Sequence, residues 1–458
     1  MSSTWQTIRS RLSLAYLLSD SPVASWLRGA GWVFSSSMVE RVVALGQTIL
    51  IARSIGMSEY GHYALLFASI SLLTPIASLQ LPYAIIFFVS RYAERDPGRA
   101  GAVVILGERL TLLTAGAIVL ICALFPGPVS VWLYGSTGYG FTAFLGALLL
   151  LLSTQAGLYD SVLQAREEFR ILAIARTVTA LLTLGLLLAV MHFDPTLRGV
   201  LMALVAGAVV RALSVALPAR KRVRALTALS SVAEARRQLP VIVQFSLPSG
   251  ALSLLMSYAT WIGSYILSRH QTGFQDLAVI NTAVQWRGPI LIVMTALSSA
   301  LLPMLGRTME MEGLQRAGRL QTLNMLVNMA IAIGFSIVVI AGADFVLGLY
   351  GRDFRGQGYL FGLFLIALVP TVYCNVHQQY LVAAGRMWSQ FLIFIPFGII
   401  NMAGALWFGE RLHGAELGYI QLTAWLVTAA LVTFAVRAHA ASGTPAPPPT
   451  ASESIPDQ

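Results

Sequence analysis

Val131-Trp132-Leu133-Tyr134-Gly135 and Leu347-Gly348-Leu349-Tyr350-Gly351 stand 216 residues apart in the chain. The same offset carries Arg53 onto Arg269, and each of these arginines closes a long apolar run. After each Tyr-Gly pair comes an apolar run ending in a short arginine-bearing turn, at Arg166 and at Arg386, and then another apolar run. Elements recurring in one order at one long offset are the mark of a duplicated half, each copy repeating the same set of elements.

What the halves are made of follows from composition. Of 458 residues, 57% are hydrophobic and 11% charged, and mean hydropathy is +0.73. Soluble chains carry roughly 25% charged residues, because their surface needs them. A water-soluble enzyme, a disordered regulator and a secreted disulfide scaffold are thereby excluded. Cys122 and Cys374 lie within apolar runs and read as packing residues. A crossing helix needs about 20 mostly apolar residues. Twelve such runs are expected, at 29–52, 61–89, 102–125, 140–165, 171–191, 199–218, 241–268, 277–305, 321–342, 358–384, 390–408 and 417–436. The fold class is all-α, a polytopic membrane protein of twelve transmembrane helices in two pseudo-symmetric six-helix lobes. Prolines 75, 82, 248, 289, 370 and 396 mark expected bends.

The expected organisation is a segment 1–28 able to form an interfacial helix, a lobe 29–218, a basic linker 219–240, a lobe 241–436, and a disordered tail 437–458. With both termini in the cytoplasm, inner segments hold 19 Lys and Arg against 6 in the outer loops, as the positive-inside rule requires. The net charge of +10 is then mostly an orientation signal, not a nucleic-acid footprint. Each lobe holds an even number of spans, so the repeats are parallel and related by an axis along the membrane normal. Such an architecture places a binding site between the halves.

An Arg, Lys or Asp at a helix centre costs about 2.5–3.5 kcal/mol even on insertion scales, so buried charges are candidate functional groups. Arg109, Arg176 and Arg211 lie near span ends, within snorkelling reach of the headgroups. Arg41 and Arg287 lie deeper. On the first span Ser36, Ser37, Glu40, Arg41, Gln47 and Thr48 share an arc of about 140°, a stripe unsuited to lipid. That stripe is expected to face the cleft between the lobes. Glu40 and Arg41 either join interhelical ion pairs or, for Arg41, offer a planar fork to a pyrophosphate. On the eighth span Asn281 and Gln285 share a face; Arg287, beside Gly288-Pro289, either reaches the cleft at a bend or pairs with Glu40 or Asp160. Arg53 and Arg269 would form a cationic rim or anchor to headgroups. Asp160 and His377 are the candidates for ion coupling. Tyr258, Trp261 and Tyr265 recur at helical spacing, as packing or as sugar-stacking faces. No catalytic or metal-binding constellation is present: the chain has no Gly-x-Ser-x-Gly, Walker A, His-Glu-x-x-His or Cys-x-x-Cys motif, and no cofactor is expected.

Ala52-Arg53-Ser54-Ile55-Gly56-Met57-Ser58-Glu59-Tyr60-Gly61-His62-Tyr63 resembles the first extracytoplasmic turn of bacterial polysaccharide exporters. Phe245-Ser246-Leu247-Pro248, Leu301-Leu302-Pro303 and Leu349-Tyr350-Gly351 with Phe354 resemble the same family. Over residues 29–437 the chain is similar to the Wzx-type O-antigen and exopolysaccharide flippases of the multidrug/oligosaccharidyl-lipid/polysaccharide exporter superfamily. The resemblance implies a V-shaped pair of lobes in the bacterial inner membrane. It implies movement of an undecaprenyl-pyrophosphate-linked oligosaccharide to the periplasmic leaflet by alternating access. The lipid bilayer, a polysaccharide polymerase and other assembly proteins would be its partners. The competing readings are a cation-coupled multidrug exporter on the same fold, which would favour an acidic cavity, a membrane-embedded glycan polymerase or ligase, and a non-transporting scaffold.

Overall fold

The computed structural model describes residues 22–227, 232–311, 314–383 and 387–442. Of the expected segment 1–28, residues 1–21 lie outside them and 22–28 belong to the helix Pro22–Ile55; of the tail expected to be disordered over 437–458, residues 443–458 lie outside them and 437–442 continue the helix Gly414–Ser442. The described residues form sixteen α-helices and three short 3-10 turns, with no strand among them. The first eight helices are α1 (Pro22–Ile55), α2 (Met57–Ser78), α3 (Leu81–Tyr92), α4 (Pro97–Leu124), α5 (Pro126–Tyr134), α6 (Gly140–Ala165), α7 (Phe169–Phe193) and α8 (Leu197–Thr227). The second eight are α9 (Val232–Leu267), α10 (Gly273–Met311), α11 (Leu314–Ala341), α12 (Ala343–Tyr350), α13 (Gly358–Ile366), α14 (Leu368–Ala383), α15 (Met387–Phe408) and α16 (Gly414–Ser442). The repeat extends through the described residues. Starts at 57, 97, 126, 140, 169 and 197 are matched by starts at 273, 314, 343, 358, 387 and 414.

Among the described residues eleven segments are long and apolar enough to cross a membrane. The twelfth crossing is α1, whose 34 residues include the polar stripe read from the sequence. The chain reverses at each short connection, so α1 begins and α16 ends at one face of the bundle, the near face. The α1–α2 turn, α5 and the α9–α10 turn lie at the opposite, far face.

Two expected spans are broken, and proline explains both breaks. Pro82 and Pro370 cannot donate an N–H, and each ring clashes with the carbonyl four residues back. Accordingly α2 ends at Ser78 and α13 ends at Ile366. The first break puts Leu79 and Gln80 in the left-handed region, at φ 49° and 54°. Residues 75 and 396 lie inside continuous helices, as do 248 and 289 within α9 and α10, so bends at those four do not interrupt the helices. Within the basic linker 219–240 the described residues are helical: α8 continues to Thr227 and α9 starts at Val232.

Helices α1–α8 pack mainly among themselves, as do α9–α16. The two groups meet where α2 touches α9 and α10, α1 touches α10 and α12, and α9 touches α3 and α4. The largest apolar cluster spans this junction, combining Ile51, Tyr60 and Leu65 with Leu277, Ile280, Tyr350, Phe354 and Phe361. In a bilayer, close packing must supply the adhesion that water supplies to soluble cores, and small residues permit it. Gly61 is such a contact. A Cβ there would overlap the backbone carbonyl of Phe274 on α10. Gly61→Val is therefore expected to force α2 and α10 apart and lower the thermal midpoint of the purified protein. An unchanged midpoint would contradict the contact.

Candidate functional site: the cleft between the helix groups

The far half of the junction is sealed. Asn281 on α10 donates to the Tyr60 hydroxyl of α2 at 2.9 Å, and Tyr60 packs against the rings of Tyr350 and Phe354. Thr48 on α1 lies 3.4 Å from the Tyr350 hydroxyl. His62 is sandwiched between Tyr139 and Phe274, with ring centroids 4.4 and 3.7 Å away. Trp261 on α9 donates to Ser69 Oγ at 2.9 Å. The Glu59-Tyr60-Gly61-His62-Tyr63 stretch thus forms the seam itself, with Tyr60 fully buried.

Moving along α1 toward the near face, the seam gives way to Arg41. At 1.5 Å per residue Arg41 lies about 21 Å along the helix from Ile55. Its side chain is exposed, and its guanidinium lies 3.5 Å from where a Cβ on Gly288 would stand. Gly288 is on α10, in the opposite group and at a matching depth, so the absent side chain leaves the guanidinium its seat. Glu40 is exposed beside it. Among the described residues neither Glu40 nor Arg41 makes an ion pair. Beyond Arg41, Val39, Phe34 and Trp32 are exposed on α1.

The rest of the α1 stripe divides among neighbours. Gln47 does not face the cleft: its amide donates to Ala180 O on α7, in its own group, at 3.3 Å. Thr48 belongs to the seam, and the buried Ser36 hydroxyl returns to Val33 O at 3.0 Å. One polar arc was expected to line one cavity, but it is wide enough to touch three surfaces. Asn281 likewise belongs to the seam, whereas Gln285 is half-buried one turn further along α10.

Arg287 turns away from the cleft. It is 7% exposed, donates from Nη2 to Thr371 Oγ1 on α14 at 2.8 Å, and its Nε has no partner among the described residues. The expected reach into the cleft, or pairing with Glu40 or Asp160, is replaced by burial inside the second group. The physical reason is the 100° per residue of a continuous helix: Gly288 faces Arg41, so its neighbour faces elsewhere. No carboxylate pairs with Arg287 among the described residues, so removing its charge removes a desolvation cost. Arg287→Leu is expected to match or exceed the parent in thermal stability, measured on purified protein. A large loss would show that the Thr371 bond outweighs that cost.

Asp160 does not stand free either. Its Oδ2 accepts from Arg211 at 2.6 Å and from Arg176 at 3.3 Å, joining α6, α7 and α8. Arg176 and Arg211 thus converge on a carboxylate instead of snorkelling, while Arg109 is exposed. His377, on α14 in the other group, lies 4.5 Å ring to ring from Tyr373, so the two ion-coupling candidates are not brought together. Arg53 is exposed, but its repeat mate Arg269 is engaged with α5, so the two do not form a shared rim. Cys122 and Cys374 are both buried and free.

Two residues escaped the sequence reading. Ser71 and Thr74 are exposed on α2, the helix at the centre of the junction, and their hydroxyls return to the carbonyls one turn back. Their three-residue spacing in an otherwise apolar run was the available signal.

Residues 26–309 match the family described as Polysaccharide biosynthesis protein. The chain is 23% identical over 408 residues, 83% of its length and 86% of the other, to the EPS I polysaccharide export inner membrane protein EpsE of Ralstonia solanacearum. In fold it is similar to the inward-facing conformation of a multidrug resistance MATE family transporter of the MOP superfamily. That match has a TM-score of 0.72 and 15% identity, and covers 90% of this chain and 98% of that one. The lipid II flippase MurJ, in an inward closed conformation, matches with a TM-score of 0.66 and 11% identity, over 88% of this chain and 87% of that one. With its duplicated helix groups and sealed far junction, the chain is a member of the polysaccharide biosynthesis protein family built on the MOP-superfamily transporter fold.

Proposed function

We propose that this protein is an inner-membrane flippase that moves an undecaprenyl-pyrophosphate-linked oligosaccharide from the cytoplasmic to the periplasmic leaflet for surface polysaccharide assembly. The observation that carries the reading is Arg41: an exposed guanidinium deep in α1, without an ion pair among the described residues and seated against Gly288 of the opposite helix group. A planar cation without an acidic partner suits the oxygens of a pyrophosphate, which accept its hydrogen bonds in pairs. Such a charge held where two halves meet can sense both, so anion binding there couples to their relative movement. The near face is the cytoplasmic one, in keeping with the basic residues around α8 and α9. Polar groups of α2, Ser71 and Thr74, extend the same wet path for the glycan, while the lipid tail remains in the bilayer between the groups. Relatives support the class of cargo: a polysaccharide export protein and a lipid II flippase are among the proteins this chain is similar to.

Deletion in the source bacterium tests the reading. Surface polysaccharide should disappear while its lipid-linked repeat unit accumulates in the cytoplasmic leaflet. Normal surface polysaccharide with hypersensitivity to cationic dyes would overturn the flippase reading in favour of a drug exporter.

A further inference from the structure

The two halves of the repeat are not used alike at the far face. Arg269, just past the end of α9, reaches across the junction to α5 in the other group. Its guanidinium donates to the Val131 carbonyl at 3.5 Å and to the Trp132 carbonyl. These carbonyls belong to the last turn of α5, where the helix dipole favours a cation; Val131 O also accepts from the Gly135 N–H at 2.9 Å, so the guanidinium is a second donor there. The same guanidinium lies 4.6 Å over the Tyr265 ring and donates to the Tyr265 hydroxyl at 2.8 Å. Trp132 stacks on Trp261 at 5.6 Å and leans on Tyr265 at 5.6 Å. Gly135 leaves room for this contact. Its φ of +76° excludes most side chains, and a Cβ there would lie 2.9 Å from Arg269 Nη1.

The repeat puts Arg53 and α12 in the matching places, yet the matching contact is not made. Arg53 is exposed and makes no hydrogen bond or ion pair among the described residues. The end of α12 is instead packed inward, with Tyr350 fully buried beside Thr48 and Tyr60. One side of the far face is therefore an apolar seam, and the other is a pin made of a cation, two carbonyls and stacked rings.

We propose that Arg269, with Trp132, Trp261 and Tyr265, forms a one-sided latch that holds the two helix groups closed at the far face. Arg269 and Trp132, both exposed, can be released to water, while Trp261 would also give up its bond to Ser69 Oγ. The α5 carbonyls and the guanidinium pass to water, and the rings lie at the depth where indoles and phenols prefer to sit. The latch must break for the cleft to open outward, so it sets the population of the outward-open state. This inference rests on the alternating-access reading above, but it can be tested without substrate.

Spin labels at Thr137→Cys and Gln271→Cys, exposed far-face positions on opposite groups, report the separation by pulsed electron paramagnetic resonance. The background carries Cys122→Ala and Cys374→Ala, and the protein is held in liposomes. The parent should show one short-distance population. Arg269→Gln and Trp132→Leu should each move the main population to longer distance, Arg269→Lys should do so partly, and Arg53→Gln should leave it in place. An unchanged distribution in both Arg269→Gln and Trp132→Leu would overturn the latch. Should Arg269→Gln fail to fold, Trp132→Leu, which keeps the guanidinium and removes only the stacking, decides alone. Widening in a protein that moves no lipid-linked glycan would leave the latch standing and remove the flippase reading. Unchanged distances with normal translocation would do the reverse.

Discussion

Arg41→Ala is expected to bind undecaprenyl pyrophosphate roughly 10- to 150-fold more weakly than the parent, the equivalent of about 1.5–3 kcal/mol for a hydrogen bond to a charged group. The fold should be retained, because Arg41 is exposed and makes no ion pair among the described residues. Arg41→Lys should recover part of the loss, since an ammonium keeps the charge and loses the planar fork. Gly288→Val should weaken binding without touching the charge, because its branches would crowd a guanidinium that already stands 3.5 Å from the Cβ position. The check is a titration of purified protein with the pyrophosphate lipid, using the monophosphate lipid as a comparison. Equal affinity in Arg41→Ala and parent would remove Arg41 from the site.

Asp160→Leu is expected to be the most destabilising single change in the first helix group. It would leave Arg176 and Arg211, whose side chains are only 19% and 18% exposed, without their shared counter-ion. Breaking a buried pair from one side costs about 3–5 kcal/mol, while replacing all members by apolar residues is often neutral. Combining Asp160→Leu with Arg176→Met and Arg211→Met should therefore recover most of the lost stability. Thermal unfolding and expression yield in the membrane measure both variants. A structural role also predicts that Asp160→Asn, which keeps an acceptor oxygen, loses stability. An Asp160→Asn protein as stable as the parent, translocating at a rate that no longer follows a pH gradient, would instead assign Asp160 to ion coupling.

Periodicity and repetition made the architecture legible. The offset of 216 that carries Arg53 onto Arg269 recurs in helix starts at 57 and 273 and, within one residue, at 126 and 343, because a duplicated chain must fold each copy by the same local rules; the two short helices starting at 126 and 343 lie between the expected spans. The breaks before Pro82 and Pro370 were half legible. Proline marks the neighbourhood of an interruption, but residues 75 and 396 stay inside helices, where the surrounding bundle accommodates the lost bond.

The site was harder to read, because a helical wheel orders residues around an axis without saying which neighbour each arc meets. Gln47 and Arg41 lie on one polar arc, yet one bonds to α7 and the other meets α10. Arg287 and Gly288 are adjacent in sequence and face different partners. Asp160 could not be paired with Arg176 and Arg211 in advance, since which faces of α6, α7 and α8 meet is decided by tertiary packing. Arg269 and Arg53 are equivalent in the repeat but not in space, because the contacts of α5 and α12 differ.

Translocation by reconstituted protein is the most direct measurement. Parent and Arg41→Ala proteins are placed in liposomes carrying a fluorescent undecaprenyl-pyrophosphate-linked oligosaccharide, and the fraction accessible to an impermeant quencher is followed in time. The flippase reading requires that the parent make the protected pool accessible and that Arg41→Ala do so at no more than about a tenth of that rate, given the binding loss above. Translocation by Arg41→Ala at the parent rate, or none by the parent, would contradict it.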